Sequence, residues 1–377
     1  MSSPPPTNSG EHFSDLPDPR SGNNISHRLL NIITITICAV ICGADTWVDV
    51  EQFGRAKGRW FETFLDLKHG VPSHDTIGRV FRLLDPDEFE PRFYQWTQRI
   101  CELVAGEVLA VDGKQLRRSK DGALGLEGIY MVNVWATANR LSLAQAKVED
   151  HSSEVTAIPL LLKLLEIEDT VITIDAMGCQ TDIVEVIIDQ HADYVIAVKG
   201  NQDTLLDDIQ AAFETEQAQR NADYDRVVNK GHGRIEIREC WVVNDADVLA
   251  YINEYKAWSG LASLVKVSSE RRHLTIGKTE QQTRYFISSL EADASRLLTA
   301  VRAHWQVENS LHWVLDMAFR EDECRVRKDH APQNFALVRQ VALNLLKRET
   351  SLTVGMSAKR KRAGWDEDYL IKVLCAV

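Results

Sequence analysis

Between residues 107 and 198 the spacing of apolar residues switches repeatedly between two periods, and this alternation restricts the fold more than any other feature of the chain. EVLAVD (107–112), GIYMVNVWAT (128–137) and LSLAQAKVE (141–149) are short β-branched and apolar runs separated by turn-like breaks, so each predicts a strand. SEVTAIPLLLKLLEI (153–167) has helical spacing, TVITID (170–175) is again a strand, QTDIVEVIIDQ a helix and DYVIAV (193–198) a strand. Three strands followed by helix, strand, helix, strand predict an α/β fold with a mixed sheet covered by helices. In that order Asp112 and Asp175 both leave strands at a C-terminal end, a common place for ligands in open sheets.

The flanking regions read differently. Residues 1–24, rich in Ser, Pro, Gly and Asn, are expected to be disordered. Residues 25–105 read as a helical N-terminal domain. Ile32, Ile35, Ala39 and Cys42 make one apolar face, Ser73 is a helix cap, and Asp85-Pro86 is a break. Such short helices suit a helix-turn-helix reader or a packing domain equally. LLNIITITICAVICGA (29–44) is interrupted by Asn31, Thr34 and Thr36 and is too short for a bilayer, so it predicts a buried helix and no membrane association. No signal peptide is evident, and the seven scattered cysteines form no CxxC pair, which points to the reducing cytoplasm. Residues 106–345 make the main domain, interrupted at about 220–295 by a β-rich insertion. Residues 346–377 read as a basic C-terminal tail.

A net charge of −12 argues against a uniformly basic nucleic-acid binder, but the distribution is uneven. From Arg325 to Arg362 the only acids are Asp329 and Glu349, which makes this stretch, and Lys359 to Arg362 within it, a candidate for phosphate contact.

The long helical stretch VRAHWQVENSLHWVLDMAF (301–319) supplies a third acid, Glu308. Carboxylates from two strand ends and a helix would hold two divalent ions through hard oxygens, suited to phosphodiester chemistry. Each acid alone also fits a solvated or capping role, and Asp112 with Gly113 fits a turn. His304, Glu308 and His312 recur every four residues, so with Asp316 they offer a zinc site on one helical face, while Trp305 and Trp313 would pack that helix into a core. KGHGRIEIRE (230–239) places His232, Arg234 and Arg238 on a hairpin that could touch phosphates, and Lys199 ends the strand VIAVK.

AVICGADTWVDVEQFG, GVPSHDTIGRVFRLLDP, VDGKQLRRS, ITIDAMGCQ, YVIAVKGNQ, GHGRIEIRE and HWQVENSLHWVLDMAFREDECR occur in this order over residues of about 30 to 340. On these stretches the chain resembles bacterial insertion-sequence transposases of the DDE class, in the H-repeat-associated group. The resemblance implies an RNase H-like catalytic core with an inserted β-rich region, and metal-dependent cleavage and strand transfer at the element's ends. It implies Asp112, Asp175 and Glu308 as the catalytic acids and magnesium ligands, with manganese as a substitute. The implied partners are double-stranded DNA, as terminal inverted repeats and target, bound by a homodimer, and the implied setting is the nucleoid. Lys114, Lys199, His232, Arg234, Arg238, Arg302 and His304 are the helper or DNA-contacting candidates. Related transposases carry an arginine four residues before the glutamate, a tyrosine three before that and a lysine seven after it. Here His304, Val301 and Leu315 stand in those places. The alternatives outside this reading are a DNA-binding protein that has lost catalysis, and a zinc-dependent hydrolase of small substrates.

Overall fold

The computed structural model describes residues 13–22, 25–120, 128–148, 153–215, 220–231, 233–275 and 277–376. Helix α1 (Leu29–Ile41) buries nearly its whole circumference, as a helix apolar on all sides must. Its polar residues are satisfied inside: Asn31 donates to the Asp66 carbonyl (2.7 Å) and Thr36 to that of Ile32 (2.7 Å). A capping box of Thr46 and Asp49 starts α2 (Trp47–Ala56). Ser73 caps α3 (His74–Leu83), as expected, and the Asp85-Pro86 break also opens α4 (Pro86–Ile100): Asp85 accepts from the Asp87 amide while proline takes the first helical position. The expectation of disorder over 1–24 is corrected at Phe13 and Leu16, both buried, with the Phe13 ring 5.4 Å from that of Phe89. Two large apolar side chains are enough to anchor a segment whose composition otherwise favours solvent.

Strands β1 (Val108–Gln115), β2 (Tyr130–Ala136) and β3 (Leu141–Lys147) form an antiparallel meander. Helix α5 (Glu154–Leu162) then crosses to β4 (Val171–Ile174), and α6 (Thr181–Asp189) to β5 (Asp193–Val198). These crossovers return the chain in the same direction, so β4 pairs parallel with both β1 and β5. All four residues of β4 are buried, which fits a central strand covered on both faces. The order β3-β2-β1-β4-β5 is the RNase H-like arrangement.

After α7 (Asp203–Glu214) come β6 (Asp223–Gly231), β7 (Arg234–Val243), α8 (Ala246–Tyr255), β8 (Ser263–His273) and β9 (Lys278–Ser288). The β-rich insertion does not form a lobe of its own. β9 pairs with β5 from Val195↔Ser288 to Val198↔Tyr285, so β9-β8-β7-β6 extends one nine-stranded sheet. Helix α8, between two of these strands, has no counterpart among the expected elements; Asp245 caps it.

Helix α9 (Ala294–His304) packs across β1, β4, β6 and β7. A π-helical turn (Glu308–His312) and α10 (Trp313–Phe319) continue it, and α11 (Ala331–Arg348), α12 (Met356–Trp365) and α13 (Glu367–Leu374) close the chain. The expected basic tail over 346–377 is therefore two packed helices. Lys359 donates to the carbonyls of Leu346 (2.9 Å) and Glu349, and Arg360 to that of Val40 (2.8 Å) and that of Ala318, so both cations are buried against helix C-termini instead of facing solvent. Helix α11, itself almost wholly buried, packs on α1, and one apolar cluster runs from Phe13 to Leu374. The helical N-terminal region shares its core with the C-terminal helices. Among the described residues no helix is long and apolar enough to cross a membrane.

Candidate acidic site

The parallel register of β1 and β4 ends at Val111↔Ile174, so the next residues of the two strands are Asp112 and Asp175. β1 itself continues to Gln115, paired only with β2, and Asp112 stands opposite Asn133. Asp112 is thus the first residue beyond the end of its neighbour, inside a strand, and the turn with Gly113 is not formed. One oxygen of each acid is spent locally. Asp112 Oδ1 accepts from the Gly113 amide (3.0 Å), and Asp175 Oδ1 caps the turn Ala176–Gly178 by accepting from the Met177 amide (2.9 Å). The other oxygen of Asp175 lies 3.9 Å from Lys199 Nζ.

The third acid arrives at the π-turn. A π-turn holds one more residue than an α-turn and rotates the side chains beyond it about the helix axis. Glu308 opens this turn and His312 closes it, and both reach Asp112: His312 Nδ1 is 3.2 Å from Glu308 Oε2 and 3.6 Å from Asp112 Oδ2. Ligand-type atoms of Asp112, Glu308 and His312 all lie within 4.8 Å of one another, a group that does not include Asp175. The zinc quartet expected on one helical face is dispersed. His304 Nδ1 sits 3.1 Å from the Thr173 hydroxyl, and Asp316 pairs with Lys114. Nor do the two tryptophans pack inward; Trp305 is 46% and Trp313 59% exposed, and the Arg284 guanidinium lies 4.5 Å from the centre of a Trp305 ring.

Burial and the surrounding charges leave this site short of positive charge. Burial pushes the Asp112 carboxyl up to about 7; the Gly113 amide opposes this, and Asp175, Glu308 and Glu154 add to it. Glu154, in the first turn of α5, is not among the acids that the sequence singles out. Its carboxylate fills the space over Gly113, where a Cβ would come 2.3 Å from Oε1. Burial, and then Asp175, raise the Glu154 carboxyl as well. An acid opening the helix after a three-stranded meander is the signal that could have found it. Burial lowers the His304 imidazole to about 4, against the pull of Asp175, so it is neutral near pH 7. Clustered acids, hard oxygens and one imidazole nitrogen fit a divalent cation, whose charge would oppose both the burial and the repulsion that raise Asp112.

The helper candidates separate. Lys114 is corrected from a DNA-contacting residue to an internal one. It is buried against Asp316 and Glu321 (2.9 Å to Glu321 Oε2), and these acids outweigh burial and hold its ammonium above the usual range. Lys199 is exposed at the mouth of a cavity of about 150 Å³ lined also by Asp112, Asp175, Arg284, His304 and Trp305. Arg234 and Arg238 both pair with Glu236, and with Arg302 on α9 they line a second cleft of about 440 Å³. His232 lies outside the described residues.

Residues 105–345 match the family model described as Transposase DDE domain, and residues 10–97 match the one described as DDE_Tnp_1-associated. The chain belongs to the DDE transposases. Along 368 residues this transposase is 38% identical to the H repeat-associated putative transposase YhhI of Escherichia coli (strain K12), covering 97% of each chain. It is also 38% identical over 368 residues to the putative transposase YncI of Escherichia coli O157:H7, covering 97% of this chain and 94% of that one. Among solved structures it is similar to the piggyBac transposase in a synaptic complex with hairpin DNA, with a TM-score of 0.44 and 11% identity over 95% of this chain and 75% of that one. Membership of the DDE transposases implies an enzyme that cuts and rearranges DNA with a divalent metal.

Proposed function

We propose that this transposase cuts DNA at the ends of its own insertion sequence and joins the freed strand to target DNA, with Asp112, Asp175 and Glu308 as its catalytic acids. The observation that carries the reading is the β1–β4 register, which aligns Asp112 with Asp175, together with the position of Glu308, at the head of the π-turn, beside Asp112. Bound magnesium, or manganese in its place, would supply positive charge to the phosphodiester and make an attacking water or 3′-hydroxyl more acidic. The chain's own groups do the rest. Asp112 and Glu308 would hold an ion on the side of His312, and the outer oxygen of Asp175 would complete the acidic set. Lys199, exposed and next to Asp175, would draw a phosphate to the mouth of the cavity. His304, kept neutral by burial, can orient a group by hydrogen bonding but brings no charge near pH 7. The cytoplasmic nucleoid and a homodimer spanning two ends belong to this reading.

The test uses the full chain and duplex DNA carrying the element's flanking ends, in magnesium, in zinc and in chelator, with nicks mapped at nucleotide resolution. Cuts at the ends in magnesium, none in chelator, and joining when target is supplied are expected. Asp112→Ala, Asp175→Ala or Glu308→Ala should each abolish cutting while leaving most DNA binding, because binding is spread over many phosphates. Near-normal cutting by any folded single variant removes that residue from the set. Specific binding without cuts in any metal overturns the catalytic reading.

A further inference from the structure

On a protein with a net charge of −12, one groove gathers five cations, and three of them have no acidic partner among the described residues. It encloses about 960 Å³ between the exposed face of α3 and the segment Arg325–Asp329 leading into α11. Arg79 and Arg82 enter from the helix, and Arg325, Arg327 and Lys328 from the segment. Arg82 is paired with Asp329 (2.7 Å), and Arg327 donates to the Arg118 carbonyl (2.8 Å). Arg79, Arg325 and Lys328 are exposed and make no ion pair or side-chain hydrogen bond with a described residue. The other acid on the groove, Asp75, lies 3.6 Å from His74.

Both walls stand on the same core. Helix α3 is held at Gly78, where an added Cβ would come 3.1 Å from the Trp47 ring, and that ring lies 5.0 Å from Phe81 and 4.4 Å from Phe335 of α11. Asn334, in the first turn of α11, donates to the carbonyls of Phe81 (2.9 Å) and Leu84 (2.8 Å), tying the end of one wall to the start of the other. The groove is therefore preformed, and ordering it costs little when a ligand arrives. It is also tethered to the acidic site. Glu321, just before the segment, holds Lys114 of β1, and Arg118 lies just beyond the end of the same strand.

We propose that this groove docks the phosphate backbone of duplex DNA, separately from the acidic site. That the polyanion is DNA rests on the transposase reading; that it is a polyanion rests on Arg79, Arg325 and Lys328, exposed without acidic partners among the described residues on walls that the core holds in place. Guanidinium forks suit phosphate oxygens, and contacts of this kind orient a duplex without reading its sequence.

The experiment measures binding of a labelled duplex carrying the element's end, and of an unrelated duplex of equal length, in chelator over a range of salt. Arg79→Gln, Arg325→Gln and Lys328→Gln together should flatten the dependence of log K on log salt by roughly 0.9 for each phosphate that the variant no longer neutralises. Affinity for both duplexes should fall, with unchanged circular dichroism and melting; the single variant Arg325→Gln repeats the test if the triple variant melts early. An unchanged slope overturns the proposal, as does a triple variant that loses only an RNA or an acidic peptide. Cutting of the same DNA in magnesium keeps the two readings apart. Intact cutting with an unchanged slope removes the groove alone, whereas a flattened slope without wild-type cutting removes only the catalysis.

Discussion

Gly113 stands where a side chain would collide with the Glu154 carboxylate, and this contact links the end of β1 to the start of α5. Gly113→Ala should leave the fold intact, because the strand accepts alanine and the flexible end of Glu154 can move. It should displace a carboxylate from beside Asp112. Glu154→Gln removes the same charge by another route. Both variants should lower metal-dependent cutting by roughly tenfold, the usual effect of disturbing groups around ligands. The double variant should be no worse than either single, since both act through one group. Additive losses in cleavage assays would separate the two residues. Asp112 and Asp175 are legible in the sequence because each ends an apolar run. Glu154 carries the fainter signal of an acid opening a helix, because its partner is Gly113, on a strand two hairpin steps earlier. Lys114 misleads for a similar reason: Asp316 and Glu321, which neutralise it, lie some two hundred positions downstream.

The π-turn carries the geometry of the site, and periodicity alone could not announce it. Residues 301–319 keep helical apolar spacing throughout, and one wider turn barely alters that pattern while changing which side chains meet. Deleting Ser310 would shorten the turn toward α-helical pitch and rotate His312 and α10 about the helix axis relative to Glu308. Helical circular dichroism should persist while cutting is lost, because the rotation would carry His312 away from Asp112; wild-type cutting by the deletion variant would deny the turn this role. The C-terminal cations show the opposite error, a charge run that imitates a surface. Arg360→Ala should cost about 3–5 kcal/mol of stability, since it leaves the buried Val40 carbonyl without its donor and removes a guanidinium 3.7 Å from Asp45. Denaturant melts would show that loss, while the salt slope of DNA binding should stay as in the wild type.

The shared core also sets how the whole protein responds to pH. Glu90 on α4 is buried beside α11, where Gln333 donates to it (2.9 Å) and the Tyr94 hydroxyl lies 3.1 Å away. Burial raises its carboxyl from 4.5 to about 7, although the hydrogen bonds from Gln333, Tyr94 and Gln145 pull it down. Between these values the folded protein binds more protons than the unfolded chain, so this group's contribution is full below about 4.5 and is lost as pH rises through about 7. Glu90→Gln should flatten stability across that window and leave the variant the more stable form at pH 8. Denaturant unfolding at pH 5 and pH 8 measures both. The order of strands and helices over 107–198 is readable from period changes, but the unity of the molecule is not. An apolar helix such as α1 declares that it needs a partner without naming which one. That partner is α11, some three hundred residues later. Synthesis therefore makes the first helix long before the element that covers it, and the nascent chain must carry an unsheltered apolar rod until residue 348 has left the ribosome. A truncated message would yield a product with that rod exposed, a natural target for chaperones and proteases.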